Sequence, residues 1–191
     1  PDIERAFRTD LDAFFLAARI IEVLSPASRR LRPLDVISHF ESVVLGELDL
    51  RLESSAASEF AANTAQDEGF TLPVIKWPHS SRRVMTMSWA EGVPMGDNAA
   101  IDAAGHNRQA LSTRVLQLFL NHALRDGYFH ADMHQGNMKV APNGDIIAYD
   151  FGIMGHIDEY TRRVYAEILF GFIRKDFQRV AEVHFEAGYV S

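Results

Sequence analysis

The sequence predicts an α+β fold in which helices at both ends of the chain flank a central group of short strands. Residues 2–24 carry apolar side chains at the spacing of an amphipathic helix. An Asn143-Gly144 pair separates two short apolar segments, which is typical of a β-hairpin. With 47% hydrophobic and 24% charged residues, the 191-residue chain has enough apolar material to bury a core.

The first part of the chain is predicted to form two helices and then two strands. The apolar face of the first helix consists of Leu11, Phe14, Phe15, Ala18, Ile21 and Leu24. Pro33 opens a second helical segment, residues 34–67, which is rich in Leu, Glu and Ala. Strands are predicted at 71–76 and 83–89, where β-compatible residues follow one another.

The second part begins after a break at residues 91–94, which we take as a boundary within the chain. Residues 128–137 are dense in His and Asp and are predicted to form a loop. The regular elements predicted around this loop are helices at 97–104 and 107–126, strands at 138–141 and 145–149, and helices at about 158–174 and 175–187.

Composition excludes several kinds of protein. The formal net charge of -7 argues against a general nucleic-acid-binding protein, which normally has an excess of basic residues. The chain contains no Cys, so it can form neither disulfides nor a thiolate metal site. Its most apolar stretch is interrupted by Arg19 and Glu22 and is too short to span a bilayer. We therefore expect the chain itself to be soluble.

The residues that carry chemistry are concentrated between positions 128 and 152. Asp132 and Asn137 lie five positions apart in one predicted loop, and Asp150 follows a hairpin that would bring it back beside that loop. A carboxylate that orients a hydroxyl group, together with an amide and a second carboxylate for Mg²⁺, is the set that phosphoryl transfer requires. Gly152 is expected to let the backbone turn sharply after Asp150.

Three motifs resemble parts of one protein family. The residues HADMHQGN at 130–137 resemble the protein-kinase catalytic loop H-x-D-x-x-x-x-N, and DFG at 150–152 resembles the kinase D-F-G. The longer segments DGYFHADMHQGN and GDIIAYDFGIMG, together with ELDLRLE at 47–53, are similar to the UbiB/AarF family. Members of that family are atypical protein-kinase-like proteins of bacterial ubiquinone biosynthesis. The likeness runs over essentially the whole chain.

The resemblance implies a protein-kinase-like α+β fold. Residues 1–90 would form an incomplete N-lobe, and residues 91–191 a mostly helical C-lobe. The phosphate-gripping lysine and the nucleotide-covering loop of the family lie upstream of the matched region and do not occur in this chain. We therefore expect residues 1–191 alone to bind nucleotide weakly or not at all.

The resemblance also assigns roles within the second part of the chain. Asp132 would be the catalytic Asp, and His130 would support the loop by a hydrogen bond between its ring and nearby backbone. Asn137 and Asp150 would bind Mg²⁺ beneath ATP, with Gly152 completing the nucleotide-binding motif. ATP and Mg²⁺ are therefore the implied cofactors.

Further roles fall in the first part. Glu53 would pair with the upstream lysine, and Glu47 with Asp49 would form the family-specific E-x-D element near the nucleotide. Met87 would be the gatekeeper, and Ala90 the hinge residue whose backbone meets the base. The chain departs from the family at three positions: Ser88 replaces a hinge Glu, Gln135 replaces a Pro, and Lys139 replaces the apolar or aromatic floor of the adenine site.

The resemblance implies partners beyond the nucleotide. Lipids or quinone precursors and other ubiquinone-biosynthesis proteins are expected to interact with the full-length protein. That protein is expected at the cytoplasmic side of the bacterial inner membrane, held there by parts outside this chain. No nucleic-acid partner is expected.

Two other functions remain open from the sequence. A small-molecule phosphotransferase of the aminoglycoside or choline kinase type shares the H-x-D-x-x-x-x-N loop and a downstream Asp, but it lacks the E-x-D element. A nucleotide-binding pseudokinase that acts as a scaffold is the second alternative. Retention of Asp132, Asn137 and Asp150 argues against the scaffold.

Two of the motifs also have simpler interpretations. His130, Asp132 and His134 alternate along the chain and could form a zinc site on a strand. Glu47, Asp49 and Glu53 could form a solvated helix face. Since Asp49 and Glu53 are four residues apart, their like charges are expected to cost that helix some stability.

Overall fold

The computed structural model describes residues 3–190, and the side chains of all of these except residues 26 and 27. The helices are α1 (Ile3–Leu24), α2 (Pro33–Glu47), α3 (Leu50–Asn63), α4 (Asn98–Ala103), α5 (Arg108–Asn121), α6 (Glu159–Arg174) and α7 (Phe177–Glu186). The strands are β1 (Phe70–Thr71), β2 (Val93–Pro94), β3 (Tyr128–His130), β4 (Met138–Val140), β5 (Ile146–Ala148) and β6 (Met154–His156). None of the helices in this described part has both the length and the apolar character needed to cross a membrane.

The predicted single helix over residues 34–67 is wrong, because the chain forms two helices there. Helix α2 ends at Glu47, and α3 begins after Asp49. The Asp49 side chain accepts a hydrogen bond from the Arg51 main-chain N–H at 3.2 Å and so caps α3. A side chain that satisfies a free N–H group favours a helix start at that point, and Leu/Glu/Ala composition does not reveal such a break.

A four-stranded sheet of order β1-β5-β4-β2 lies at the centre of the molecule. Strands β4 and β5 form the antiparallel hairpin predicted around Asn143-Gly144, and Gly144 has the positive φ of 90° that such a turn needs. Strand β1 adds to β5 in parallel, and β2 adds to β4 antiparallel. The sheet thus takes strands from both sides of residue 90, and the division into an N-lobe and a C-lobe stays a prediction.

The predicted strands at 71–76 and 83–89 are largely absent. Strand β1 covers only Phe70–Thr71, and the two segments meet through an isolated bridge between Ile75 and Met87. The Lys76 N–H donates to the Thr86 carbonyl at 2.8 Å, so the segments do run beside each other. Ladder pairing ends early because a short 3₁₀ turn, Trp77–His79, follows directly.

A second, two-stranded sheet was not predicted. Residues 128–137 were expected to be a loop, but Tyr128–His130 forms β3 and pairs antiparallel with β6, which follows the DFG segment. The register sets Tyr128 opposite His156 and His130 opposite Met154. This pairing brings the start of the catalytic loop beside the chain that follows Asp150.

The core is centred on the Phe60 ring of α3, which is completely buried. The rings of Phe70, Tyr128 and Phe151 meet it edge-on, with centroid distances of 5.8, 6.0 and 6.4 Å. Phe151 belongs to the DFG segment, so the candidate site is built directly on the core. Helices α1 and α2 lie outside this cluster of buried residues.

A polar contact joins the segment after α3 to the turn after α5. The Asp67 carboxylate accepts from His122 Nε2 at 2.9 Å and from two Arg125 nitrogens at 2.6 and 2.9 Å. His122 is fully buried. It begins a π-helical turn, His122–Asp126, that continues α5. The contact fixes α3, and with it Glu53, to the second part of the chain.

Candidate functional site

The catalytic loop follows β3 and is closed by contacts within itself. The Asn137 Nδ2 group donates to both the carbonyl and the Oδ2 of Asp132, each at 3.2 Å. The His134 ring accepts the Gly136 N–H through Nδ1 at 2.9 Å. Asp132 and Asn137 are therefore together, and the amide oxygen of Asn137 is the atom that its contacts with Asp132 leave available.

His130 lies beneath this loop and is 1% exposed. Its Nδ1 accepts the Asp132 main-chain N–H at 3.1 Å, and its ring lies 6.0 Å from the Phe151 ring. Burial lowers the pKa of His130, while the Asp150 main-chain carbonyl and the carboxylates of Asp150 and Asp132 oppose the shift. The His130 ring thus lies between the backbone at Asp132 and the DFG segment, which the sequence could not show.

Asp150 is exposed, whereas Phe151 beside it is buried in the core. The Asp150 Oδ1 accepts the Gly152 N–H at 3.1 Å. The chain bends at Gly152 and Ile153, as a sharp turn after Asp150 requires, although the φ of Gly152 is not in the left-handed region. A methyl group at Gly152 would lie 3.5 Å from Asp150 Oδ1 and 3.7 Å from Glu47 Oε2, so the residue lies between two carboxylates.

Glu53 reaches the same segment from α3. Its Oε1 accepts the Phe151 main-chain N–H at 3.2 Å. Burial raises the pKa of Glu53, and the carboxylates of Asp150 and Glu47 raise it further, while the Phe151 N–H opposes the shift. Three carboxylates therefore converge on the DFG segment, and a cation at this place would stabilise all of them.

A cleft of about 360 Å³ opens beside these carboxylates. Its walls come from the end of α2, the start of α3 and the chain after Asp150. The residues that line it are Ser42, Val43, Gly46, Glu47, Asp49, Leu52, Glu53, Ala56, Phe151, Gly152 and Met154. All three acidic residues predicted from the ELDLRLE motif thus border one cleft.

Asp49 has a structural role that the sequence did not suggest. A hydrogen bond from the Arg51 side chain, at 2.6 Å between Arg51 Nη2 and Asp49 Oδ2, lowers the pKa of Asp49 to about 2. The expected repulsion between Asp49 and Glu53 on one helix face is wrong, because Asp49 precedes α3 as its cap. Glu53 lies in the first turn of α3, where the helix dipole favours a negative charge.

The predicted gatekeeper and hinge residues lie in the segment that leads from the Ile75–Met87 bridge towards β2. Met87 is half-buried and packs against the core, opposite Ile75. The Ala90 carbonyl accepts a hydrogen bond from Lys139 Nζ at 3.1 Å. Lys139 lies on β4, two residues after Asn137, so it connects the 87–90 segment to the catalytic loop. The roles of Met87 and Ala90 stay predictions.

The donor set suits a hard cation better than zinc. Asn137 and Asp150 offer an amide oxygen and a carboxylate, which are the ligands that Mg²⁺ prefers. The alternative zinc site is not favoured, because the Nδ1 atoms of His130 and His134 both accept main-chain N–H groups. Within residues 3–190, His, Asp and Glu side chains form no group of three or more that could hold a metal ion.

Comparison with known proteins agrees with these motifs. The sequence profile of the ABC1 atypical kinase-like domain matches residues 1–184. The chain belongs to the ABC1 atypical kinase-like family. This ABC1 chain is 34% identical over 196 aligned residues to the "Probable protein kinase UbiB" of Xylella fastidiosa strain M12, and 33% identical over 194 to that of Marinobacter nauticus. Both alignments cover all of this chain and 36% of the relative's length.

A solved structure shares the fold. The structure titled as a complex of Rv3197 with erythromycin, from Mycobacterium tuberculosis, superposes with a TM-score of 0.74. The match covers 98% of this ABC1 chain and 46% of that one, at 24% sequence identity. The predicted protein-kinase-like α+β fold is thereby confirmed, as is the predicted family.

Two residues near the site of this ABC1 chain were not predicted. The Tyr149 hydroxyl donates to the Gly136 carbonyl and ties the chain before Asp150 to the catalytic loop. Asp67 holds α3 in place through His122 and Arg125. An aromatic residue directly before a motif Asp was a possible signal for Tyr149. No local sequence pattern indicates the role of Asp67, because its partners lie more than fifty residues away in sequence.

Proposed function

We propose that the full-length protein containing this chain binds ATP with Mg²⁺ and acts as an ATPase or phosphotransferase that supports ubiquinone biosynthesis. The observation that carries the proposal is that the buried His130 ring joins the predicted catalytic loop to the DFG segment. Its Nδ1 accepts the Asp132 N–H, its ring lies 6.0 Å from the Phe151 ring, and Asp132 contacts Asn137 directly. This chain spans about a third of the length of its curated relatives, so the activity concerns the larger protein.

The contacts suggest a separate role for each of these side chains. Asn137 and Asp150 would hold Mg²⁺, and the bond from Asn137 Nδ2 to Asp132 orients the amide so that its oxygen is available. Bound Mg·ATP would supply a γ-phosphoryl group with its charge partly neutralised. Asp132 would orient the attacking hydroxyl or water and take its proton. His130, held by the Asp132 N–H, keeps that loop in position.

The excess of negative charge around the DFG segment supports a cationic ligand at that place. Burial raises the pKa of Glu53, and the nearby carboxylates of Asp150 and Glu47 raise it further. Among the contacts of residues 3–190, the Glu53 carboxylate is bonded by a main-chain N–H and not by a Lys or Arg. An Mg²⁺ ion and a lysine from outside this chain would remove the repulsion.

The decisive experiment compares two Asp→Asn variants of the full-length protein. Asp150→Asn should lower Mg-dependent ATP turnover by at least about 100-fold and weaken Mg·ATP binding, because a metal-binding oxygen is lost. Asp132→Asn should lower kcat by about 100-fold or more with little change in nucleotide affinity. Asp10→Asn, at an exposed position on α1, is the matched control and should leave both unchanged.

The outcomes separate the alternatives. Turnover that persists in Asp150→Asn would contradict the proposal. Tight Mg·ATP binding by the wild-type protein without any turnover would favour the pseudokinase scaffold. Turnover that depends on an added aminoglycoside or choline would favour the small-molecule phosphotransferase.

The cellular part of the proposal rests on the relatives. The relatives are named as probable protein kinases UbiB, which supports a kinase-like role for the full-length protein. We extend this role to binding of lipids or quinone precursors at the cytoplasmic side of the inner membrane. Other ubiquinone-biosynthesis proteins would be its partners there. A strain lacking the protein should contain less ubiquinone. The wild-type gene should restore the content, and the Asp150→Asn gene should not.

A further inference from the structure

Tyr149 joins the catalytic loop to Asp150 through both of its hydrogen-bond donors. Its main-chain N–H donates to the Asn137 carbonyl at 3.2 Å. Its hydroxyl donates to the Gly136 carbonyl, one residue earlier in the same loop. Asp150 follows Tyr149 directly, so a single residue connects the backbone segments that carry the two proposed Mg²⁺ ligands.

The hairpin of β4 and β5 brings these residues together. Met138 lies opposite Ala148 in its register, and the bond from the Tyr149 N–H to Asn137 continues that pairing by one step. Because the strands are antiparallel, Asn137 and Asp150 lie at the same end of the hairpin. The hydroxyl contact extends the connection past the end of the strands, and it depends on the tyrosine side chain alone.

The peptide group between Gly136 and Asn137 is bonded on both sides. Its carbonyl accepts the Tyr149 hydroxyl, and its N–H donates to the His134 carbonyl at 3.0 Å. The Asn137 side chain is 8% exposed, and its Nδ2 donates to Asp132. The amide oxygen proposed to bind Mg²⁺ therefore has a position that is set by the backbone and by the side-chain contact together.

The Tyr149 ring also has a contact that holds it in place. It is half-buried, and Lys139 Nζ lies 5.7 Å from its centroid, within the range of cation–π attraction. The same Nζ donates to the Ala90 carbonyl at 3.1 Å, which fixes the ammonium group from its other side. The hydroxyl at the end of the ring is thus directed at its acceptor before any ligand binds.

Divalent cations differ in how strictly they require their ligands to be placed. Mg²⁺ demands a near-ideal octahedron at about 2.0–2.1 Å, whereas Ca²⁺ accepts a flexible geometry at about 2.3–2.6 Å. A small change in the spacing between Asn137 and Asp150 therefore weakens Mg²⁺ binding more than Ca²⁺ binding. We propose that Tyr149 is a positioning residue that holds this spacing and makes the site select Mg²⁺ over Ca²⁺. The inference rests on the proposed function, since it requires a metal–nucleotide complex at these two ligands.

The test measures, by calorimetry, how tightly the full-length protein binds a non-hydrolysable ATP analogue in saturating Mg²⁺ and in saturating Ca²⁺. The wild-type protein should bind the Mg²⁺ complex about tenfold more tightly than the Ca²⁺ complex. Tyr149→Phe keeps the ring and the main-chain N–H and loses only the hydroxyl. It should weaken binding of the Mg²⁺ complex about tenfold and binding of the Ca²⁺ complex less than about twofold.

Tyr160→Phe is the matched control, because it removes the same hydroxyl from an exposed position on α6 and should change neither affinity. A merely structural role of Tyr149 would lower both affinities equally, so an unchanged Mg²⁺/Ca²⁺ ratio in folded Tyr149→Phe would overturn the inference. A wild-type protein that binds both complexes equally tightly would overturn it whether or not the variant folds. Binding of neither complex by the wild-type protein would refute the proposed function itself.

Discussion

The helical pair α1–α2 and the region around Phe60 differ greatly in burial. Helix α1 buries only Leu11 and Ala18, and no residue of α2 is buried. Around α3 and the central sheet, by contrast, Phe60, Phe151 and Ile146 are each at most 1% exposed. Apolar residues such as Phe14 and Ile21 recur at helical spacing in α1 and yet stay exposed, so a pattern of apolar residues shows which face is apolar but not what covers it.

The two regions also differ in how they are packed. Helices α1 and α2 pack mainly on each other, for instance through the edge-on rings of Phe14 and Phe40 at 6.4 Å. An apolar groove of about 390 Å³ lies between them. The Phe60 region instead joins α3, both sheets and the DFG segment. The comparison indicates that stability and the geometry of the candidate site come from the same core.

The largest difference in stability is expected when one phenylalanine in each region is replaced by alanine. Phe60→Ala should lower the free energy of unfolding by about 3–5 kcal/mol, because it empties the centre of an aromatic cluster. Phe14→Ala should cost less than about 1 kcal/mol, because Phe14 is already 47% exposed. Urea unfolding followed by circular dichroism measures both. Equal losses in the two variants would show that α1–α2 belongs to the same core.

Replacing one glycine in each region by alanine should change stability by a smaller amount and in opposite directions. Gly92→Ala should destabilise the fold by about 1–3 kcal/mol, because the new methyl group would overlap the Val140 carbonyl. Gly46→Ala should stabilise α2 by up to about 1 kcal/mol, since no atom lies within 4 Å of the new methyl group and Ala is the better helix former. Thermal unfolding tests the signs. A stable Gly92→Ala protein would mean that the 90–94 segment can move away from β4.

The smallest expected effect is a difference in pH dependence between two histidines. Burial lowers the pKa of His122 below its ordinary value of 6.5, while Asp67 and Asp126 oppose the shift and Arg125 adds to it. The unfolded chain therefore takes up a proton before the folded one does. The stability tied to neutral His122 is complete above about pH 6.5 and is lost as the pH falls towards the lower, folded pKa.

Unfolding free energies at about pH 7.5 and about pH 5.5 measure this loss. Their difference should shrink in His122→Gln, whose amide can still donate to Asp67. It should stay unchanged in His39→Gln, because His39 is exposed on α2. A pH difference that survives His122→Gln intact would show that another group is responsible.

Local patterns were sufficient for the helices and for one hairpin. The Asn143-Gly144 turn was predictable because so few residue pairs adopt its backbone angles, and β4 and β5 follow from it. The pairings of β1 with β5 and of β3 with β6 were not predictable, because they join segments that are far apart in sequence. The break at Asp49 was missed because one capping side chain outweighed the helix-forming residues around it.

The candidate site shows the same limit. Spacing alone singled out Asp132, Asn137 and Asp150, since the chemistry of phosphoryl transfer restricts which residues can stand there. It could not show that Asp150 is exposed or that Gly152 needs no special backbone angle. Nor could it show that Lys139 bonds the Ala90 carbonyl, because the two residues meet only through the packing of β2 on β4.

The sequence by itself determined the helices apart from the break between α2 and α3, the hairpin, the identity of the acidic and amide side chains and the family to which they belong. These are properties of short segments, set by periodicity, turn chemistry and residue type. The tertiary structure alone decided that His130 lies against the Asp132 backbone and the Phe151 ring, that Glu53 bonds the Phe151 N–H, and that α1 and α2 keep their apolar faces exposed. Burial and electrostatic coupling depend on distances between remote segments, which no local pattern contains.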